Sequence, residues 1–299
     1  SSQRAIMARF VGAEVVATSN TAETVINMTL LGTVSAAVLA GTNSATAQTG
    51  TSAEVGVDSL AFTSDNSNAT LQVGALTGQA GGTATTTGGV GGAAIDADAY
   101  LDNGGNSISI TLKDNADLTG GAGGAGATNG NGGNGGVGLD ASEYEVVNLV
   151  LSATDTTKDV VTIAGGAGGV KAGTGANGTA GADVVVGTNA TINVTETLAA
   201  ASGSTPLTIK DHISSINLGT ITGNNVNVQA GTLNGSVTIA AVSGNATIVT
   251  GAGADSIATG TGIDTINTGA GDDTIDGQTG ADMITTGTGN DIITLADQD

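Results

Sequence analysis

Five aspartates recur at a spacing of nine toward the C-terminal end of the chain: Asp255, Asp264, Asp273, Asp282 and Asp291. Each has a glycine two residues before it (Gly253, Gly262, Gly271, Gly280, Gly289) and an isoleucine two residues after it (Ile257, Ile266, Ile275, Ile284, Ile293). A carboxylate supplies charge, and a glycine lets the backbone bend so that its carbonyl aims at the same point. Hard oxygens brought together in this way suit a divalent cation, and calcium takes six to eight of them. Aspartate also favours turns for its own reasons. Five copies in register with glycine and isoleucine argue for metal ligation over turn chemistry alone. Asp297 and Asp299, just past the last copy, are candidates for closing a terminal half-site.

The elements that must position these ligands follow from the period. The nines read TGAGADSIA, TGTGIDTIN, TGAGDDTID, GQTGADMIT and TGTGNDIIT over residues 250–294. Six residues of turn and three of strand make half a coil, so about 18 residues complete one turn of a flattened parallel roll. The isoleucine then points inward and stacks on the next turn at the ~4.8 Å strand spacing. Alternate copies share an edge: Asp255, Asp273 and Asp291 on one, Asp264 and Asp282 on the other. About three complete sites are expected, between Asp255 and Asp273, Asp273 and Asp291, and Asp264 and Asp282. The isoleucine spacing extends backward through Ile248 and Ile239, so coils without aspartate lead into the coils that carry it.

The nines resemble the RTX (repeat in toxin) nonapeptide G-G-x-G-x-D-x-U-x, where U is a large aliphatic residue. Two departures stand out. Threonine replaces the first glycine at positions 250, 259, 268 and 286, and Gln278 replaces the second glycine of the fourth copy. An isolated upstream echo, GTAGADVVV, contains Gly181, Asp183 and Val185, which makes Asp183 a further candidate ligand. The resemblance implies calcium as the cofactor, secretion by a bacterium, and folding outside the cell where calcium is abundant.

Composition narrows the classes. The formal charge is −21, from 27 acidic and 6 basic residues. Nucleic acid and anionic membrane surfaces need clustered Lys and Arg, so both are excluded as partners. With no cysteine, neither disulfides nor thiol chemistry are available. No apolar run approaches ~18 residues, so no membrane span is expected. The nearest, residues 25–40, is interrupted by Asn27, Thr29, Gly32, Thr33 and Ser35. It reads as β-structure better than as a signal peptide. Glycine is abundant at 51 residues, proline occurs once and aromatics are almost absent, which excludes collagen and disfavours a bulky globular core.

The expected fold is all-β: a parallel β-roll or β-solenoid at the C-terminus behind glycine-rich β-structure. Residues 1–70 form an N-terminal β-rich segment, with a helical turn or two over QRAIMARFVGAEVVA, and are candidates for contacting another subunit. Over residues 71–200, strands such as NSISITL and EVVNLVLSA alternate with glycine blocks at 78–92, 120–138 and 165–178. Such blocks read either as flexible linkers or as packed polyglycine II-like bundles, in which only glycine permits backbone contact. Residues 201–299 form the solenoid that ends in the roll.

No catalytic constellation emerges. The lone His212, beside Asp211 and Lys210, reads as a polar strand end, and no G-x-S-x-G elbow is present. Asp96, Asp98, Asp102 and Asn103 lack the glycine and closing glutamate of an EF-hand and read as a solvated turn. The chain reads as a non-enzymatic, secreted structural protein. Its partners are calcium and copies of itself, in a surface layer or extracellular filament. An ice-binding protein with flat threonine ladders and an RTX-type adhesin module are the alternatives.

Overall fold

The structure is a computed structural model. It describes the backbone of seven strands between residues 4 and 73, and the chain over 76–78, 80–83, 87–99, 107–113, 116–153, 159–198 and 214–296. His212 and its neighbours, Asp102, Asn103, Asp297 and Asp299 lie outside the described residues.

Short runs of β-branched and small apolar residues, each broken by Gly, Asn or Asp, wind coil upon coil. The first coil has β1 (Arg4–Val11) and β2 (Val15–Thr18), so the segment read as a helical turn is two strands. Its β-branched and aromatic residues find a partner in the next coil, and pairing overrides weak local propensity. The next coils are three-sided. One holds β3 (Thr24–Leu31), β4 (Val34–Leu39) and β5 (Gly41–Thr42), and the next β6 (Leu60–Ser64), β7 (Asn68–Val73) and β8 (Leu76–Thr77). Then come β9 (Ile95–Ala99), β10 (Ser107–Lys113) and β11 (Leu118–Thr119), followed by β12 (Leu139–Ala141), β13 (Val146–Ala153) and β14 (Asp159–Ala164). After β15 (Val184–Val186) and β16 (Thr191–Leu198) comes β17 (Ser214–Thr222). From there the coils are two-sided: β18 (Val226–Gln229), β19 (Val237–Val242), β20 (Ala246–Val249), β21 (Ser256–Ala258), β22 (Thr265–Asn267), β23 (Thr274–Asp276), β24 (Met283–Thr285) and β25 (Ile292–Thr294).

Every strand pairs in parallel with its counterpart one coil away. One sheet runs β1-β3-β6-β9-β12-β15-β17-β19-β21-β23-β25, and a second runs β2-β4-β7-β10-β13-β16-β18-β20-β22-β24. The third side, β5-β8-β11-β14, ends on β17. The first half of β17 pairs with β14 (Asp159↔Ser214) and its second half with β15 (Val184↔Ile221), so one strand merges two sides into one. A register shift at Gly219, with φ of +57°, makes the bend.

The core is a single column of aliphatic side chains. Ile108, Ile110 and Leu112 of β10 stack on Val147, Leu149 and Leu151 of β13, all essentially inaccessible. The isoleucine ladder continues it at 18-residue steps, Ile239↔Ile257↔Ile275 in one sheet and Ile248↔Ile266↔Ile284 in the other. Each fully buried isoleucine contributes roughly 1.5–3 kcal/mol, which lets a chain almost without aromatics hold a core.

Between β8 and β9, β11 and β12, and β14 and β15, the chain leaves the coil through the three glycine blocks. These blocks hydrogen-bond to one another. Gly120, Gly123 and Gly126 donate to the carbonyls of Ala164, Ala167 and Val170, and Gly132, Gly135 and Gly138 to those of Ala176, Thr179 and Ala182. The donors recur every third residue, the repeat of an extended threefold helix and not the two-residue repeat of a strand. The approach leaves no room for a side chain: a Cβ on Gly135 would lie 1.8 Å from the Gly166 carbonyl oxygen. In the third block Lys171, Asn177, Ala180 and Asp183 stand 45 residues after Gly126, Gly132, Gly135 and Gly138. Side chains therefore occupy the positions where a further layer would lie.

Candidate metal centre

The 18-residue coil places the repeat aspartates in two columns. On one edge Asp273 Oδ1 accepts the Asp255 N–H (2.9 Å), and Asp291 Oδ1 accepts the Asp273 N–H (3.1 Å). On the other, Asp282 Oδ1 accepts the Asp264 N–H (3.0 Å). Each column starts on a coil without a repeat aspartate, where Asp255 Oδ1 accepts the Val237 N–H (2.8 Å) and Asp264 Oδ1 that of Ala246 (2.7 Å). Every repeat aspartate thus spends one carboxylate oxygen on the coil before it.

The second oxygen is what matters for a cation. Asp255, Asp264 and Asp273 are no more than 2% exposed, and the Oδ2 atoms of Asp264 and Asp273 are buried without a hydrogen-bond donor. Burial of an unpaired carboxylate is costly. All six basic residues, Arg4, Arg9, Lys113, Lys158, Lys171 and Lys210, precede the repeats in the sequence. Burial therefore pushes the Asp255 carboxyl up to about 6, opposed by hydrogen bonds from the Thr250 hydroxyl and the Val237 N–H and assisted by the charge of Asp273. Burial likewise raises Asp264, opposed by Thr259 and Ala246 and assisted by Asp282. Buried carboxylate oxygens without donors at Asp264 and Asp273, and charge disfavoured by burial at Asp255 and Asp264, are what a divalent cation would neutralise, so the residues present fit calcium.

Among the described residues no three acidic, histidine or cysteine side chains converge on one point. Paired aspartates alone fall short of six to eight ligands, so most must be backbone carbonyls. The glycine columns bring backbone carbonyls close to the next coil. A Cβ on Gly271, Gly280 or Gly289 would lie 1.7–2.1 Å from the carbonyl oxygen of the glycine one coil earlier. Gly271 and Gly289 also adopt φ of +135° and +144°, which side chains disfavour. The fourth-position glycines thus let successive turns touch backbone to backbone.

Three features have roles that the sequence did not disclose. Thr250, Thr259 and Thr268 at the first position are buried, and their hydroxyls meet the next coil: Thr259 Oγ1 lies 3.3 Å from the Gly277 carbonyl oxygen and Thr268 Oγ1 3.2 Å from that of Thr286. Thr250 also donates to the Asp255 carboxylate. Gln278 holds the positive φ of the glycine it replaces, +54°, because Asp276 accepts its N–H (3.1 Å) and its side-chain amide (2.8 Å). Asn245 and Asp272, one residue before the repeat aspartate position, accept the N–H groups of Ile263 and Asn290 one coil on.

Asp183 is placed elsewhere. Its two carboxylate oxygens accept the N–H groups of Gly165 (2.7 Å) and Thr220 (2.6 Å), which ties the third glycine block to the bend in β17. Val185 lies between the buried Val184 and Val186, out of phase with the inward eighth residue of the nines. Asp96 and Asp98 belong to strand β9, with Asp96 opposite Asp140 of β12, so these two of the four residues expected in a solvated turn lie in a strand.

Residues 241–262 and 258–293 match the family model of the RTX calcium-binding nonapeptide repeat (4 copies). The C-terminal roll is an RTX repeat array. RTX nonapeptide repeats bind calcium, and proteins that carry them are usually secreted by bacteria. No curated protein and no solved structure matches the chain. In this RTX array calcium would supply the positive charge that the two aspartate columns lack, with Asp255, Asp264, Asp273, Asp282 and Asp291 and the fourth-position glycine carbonyls as its holders.

The raised aspartates give calcium-stripped protein a pH dependence of definite sign. Between 3.8 and about 6 the folded Asp255 binds more protons than the unfolded one. Its contribution is therefore complete below the unfolded value and lost as pH rises through the folded one, by up to on the order of 3 kcal/mol. Calcium-free roll should melt higher at about pH 5 than at about pH 7.5. With calcium the order should reverse, because protons compete for the same oxygens. Melting curves independent of pH in the stripped protein would contradict the assignment.

Proposed function

We propose that the chain is a secreted structural protein that self-assembles on or outside the bacterial cell, in a surface layer or filament, when calcium orders its roll. The observation that carries this reading is the stack itself: the described strands pair in parallel with their counterparts one coil away, and the roll matches the calcium-binding RTX repeat. Parallel ladders of this kind can be continued by a coil of a second copy, whose strands would pair in the same way. Such head-to-tail contact is open-ended and produces fibres or layers rather than closed oligomers. No helix is long and apolar enough to cross a membrane among the described residues.

Negative-stain electron microscopy tests this directly. Purified protein should form ordered fibres or sheets in millimolar calcium and lose them on chelation. Particles of a single monomeric size in both conditions would sink the proposal. A second reading, an ice-binding protein, draws support from the outward threonines of the second sheet, such as Thr247 opposite Thr265. It predicts a monomer that inhibits ice recrystallisation.

A further inference from the structure

The second sheet has an outward face that nothing so far explains. In β10, β13 and β16 the buried residues alternate with Ser109, Asn148 and Asn193, which stand in register. A parallel column runs Thr191, Asn227, Thr247, Thr265. The amides spend their donors along the face: Asn193 Nδ2 donates to Asn148 Oδ1 (2.8 Å), Asn148 Nδ2 to Ser109 Oγ (3.2 Å) and Gln229 Nε2 to Asn227 Oδ1 (2.6 Å). Val146, Val150 and Val249 occupy further positions of the same parity, among serines and threonines.

Charge distinguishes this face. The chain carries −21, and the outward positions of the first sheet include Asp96, Asp140 and Asp276. On the second sheet, from β10 to β24, the outward positions hold no acidic residue; Glu196 has the parity of the buried Ile192 and Val194. Lys113, at the end of β10, is the one base in those strands. Two copies of so acidic a chain repel wherever carboxylates face each other. They can approach flat where there are none, and side chains already bonded to one another lose little on leaving water.

We propose that this face is where a second copy of the chain packs, sheet against sheet, to pair assemblies side by side. The inference rests on the self-assembly reading, although it concerns a different surface from the coil ends. From β10 to β24 the sheet spans about 29 Å at ~4.8 Å per strand, and three residue columns are about 15 Å wide, so each copy buries roughly 400 Å². That is below the ~800 Å² per partner of a standard interface. Isolated pairs are therefore weak, and repetition along a filament strengthens them.

The test is sedimentation velocity in calcium across a concentration series, with Thr195→Asp and Thr247→Asp as two independent probes; both side chains are exposed. The same charge on the first sheet, Ala240→Asp, is the control, and melting curves establish that each variant is folded. The wild type and the control should pair, and each face variant should raise the dissociation constant of the pair at least tenfold. By electron microscopy the face variants should still form single filaments, which separates loss of lateral pairing from loss of end-to-end growth. Equal pairing of all four proteins overturns the proposal while leaving self-assembly intact. A wild type that stays monomeric overturns both, and ice or polysaccharide binding by that monomer would identify the other occupant.

Discussion

Asp273→Asn should weaken calcium binding more than any other single change in the roll. Asp273 stands between Asp255 and Asp291 in its column, and its neutralisation removes charge from two of the three expected sites. Asn keeps an acceptor for the Asp255 N–H, so the coil contact survives while the charge is lost. Apparent affinity at the affected sites should fall by at least tenfold, a cost of about 1.4 kcal/mol or more per site. Asp282→Asn, which touches one pair, should spare the other edge. In the calcium-free state the order inverts: Asp273→Asn should raise the melting temperature, because it removes a buried, unpaired carboxylate oxygen and relieves Asp255. Calcium titrations paired with melting curves in chelator check both halves. Equal effects of the two substitutions would contradict the column arrangement.

The second large effect lies far from the roll. On the reading that the three blocks form a polyglycine II-like bundle, Gly135→Ala forces a Cβ to 1.8 Å from the Gly166 carbonyl oxygen and should cost about 3 kcal/mol or more, beyond ordinary overpacking. Gly132→Ala meets Gly169 at the same distance and should behave alike. The contrast is Gly231→Ala, whose nearest neighbours are a Val249 methyl at 3.2 Å and a carbonyl oxygen at 3.8 Å, and which should cost little. If Gly135→Ala melted with the wild type, the blocks would be linkers and the hydrogen-bond ladder between them would be irrelevant to stability.

These positions also show how far the sequence could be read. The roll was legible because its period is short and each copy repeats glycine, aspartate and isoleucine in fixed phase. That phase defines the 18-residue coil, the two edges and the inward isoleucines. The upstream coils were not, because their strands are joined by segments of unequal length and the glycine blocks leave the coil between one side and the next. A signal was present: GGAGGAG at 120 and GGAGGVK at 165 are 45 residues apart, as are Asn148 and Asn193. The N-terminal strands were misread as helical because RAIMARFV has no strict alternation, and only pairing with Thr24–Leu31 decides its conformation. Asp183 matched the nonapeptide letters, yet its role comes from β17, which bends against it from 37 residues away. Threonine at the first position looked like an intrusion in a glycine site and is a buried hydroxyl serving the next coil.

The most direct test is a calcium titration of stripped protein followed by isothermal calorimetry and thermal melting together. The account predicts about three ions bound with release of protons, since Asp255 sits near 6 before binding, and a cooperative rise in melting temperature as the columns fill. No heat of binding at millimolar calcium, and one melting curve with and without the ion, would contradict it.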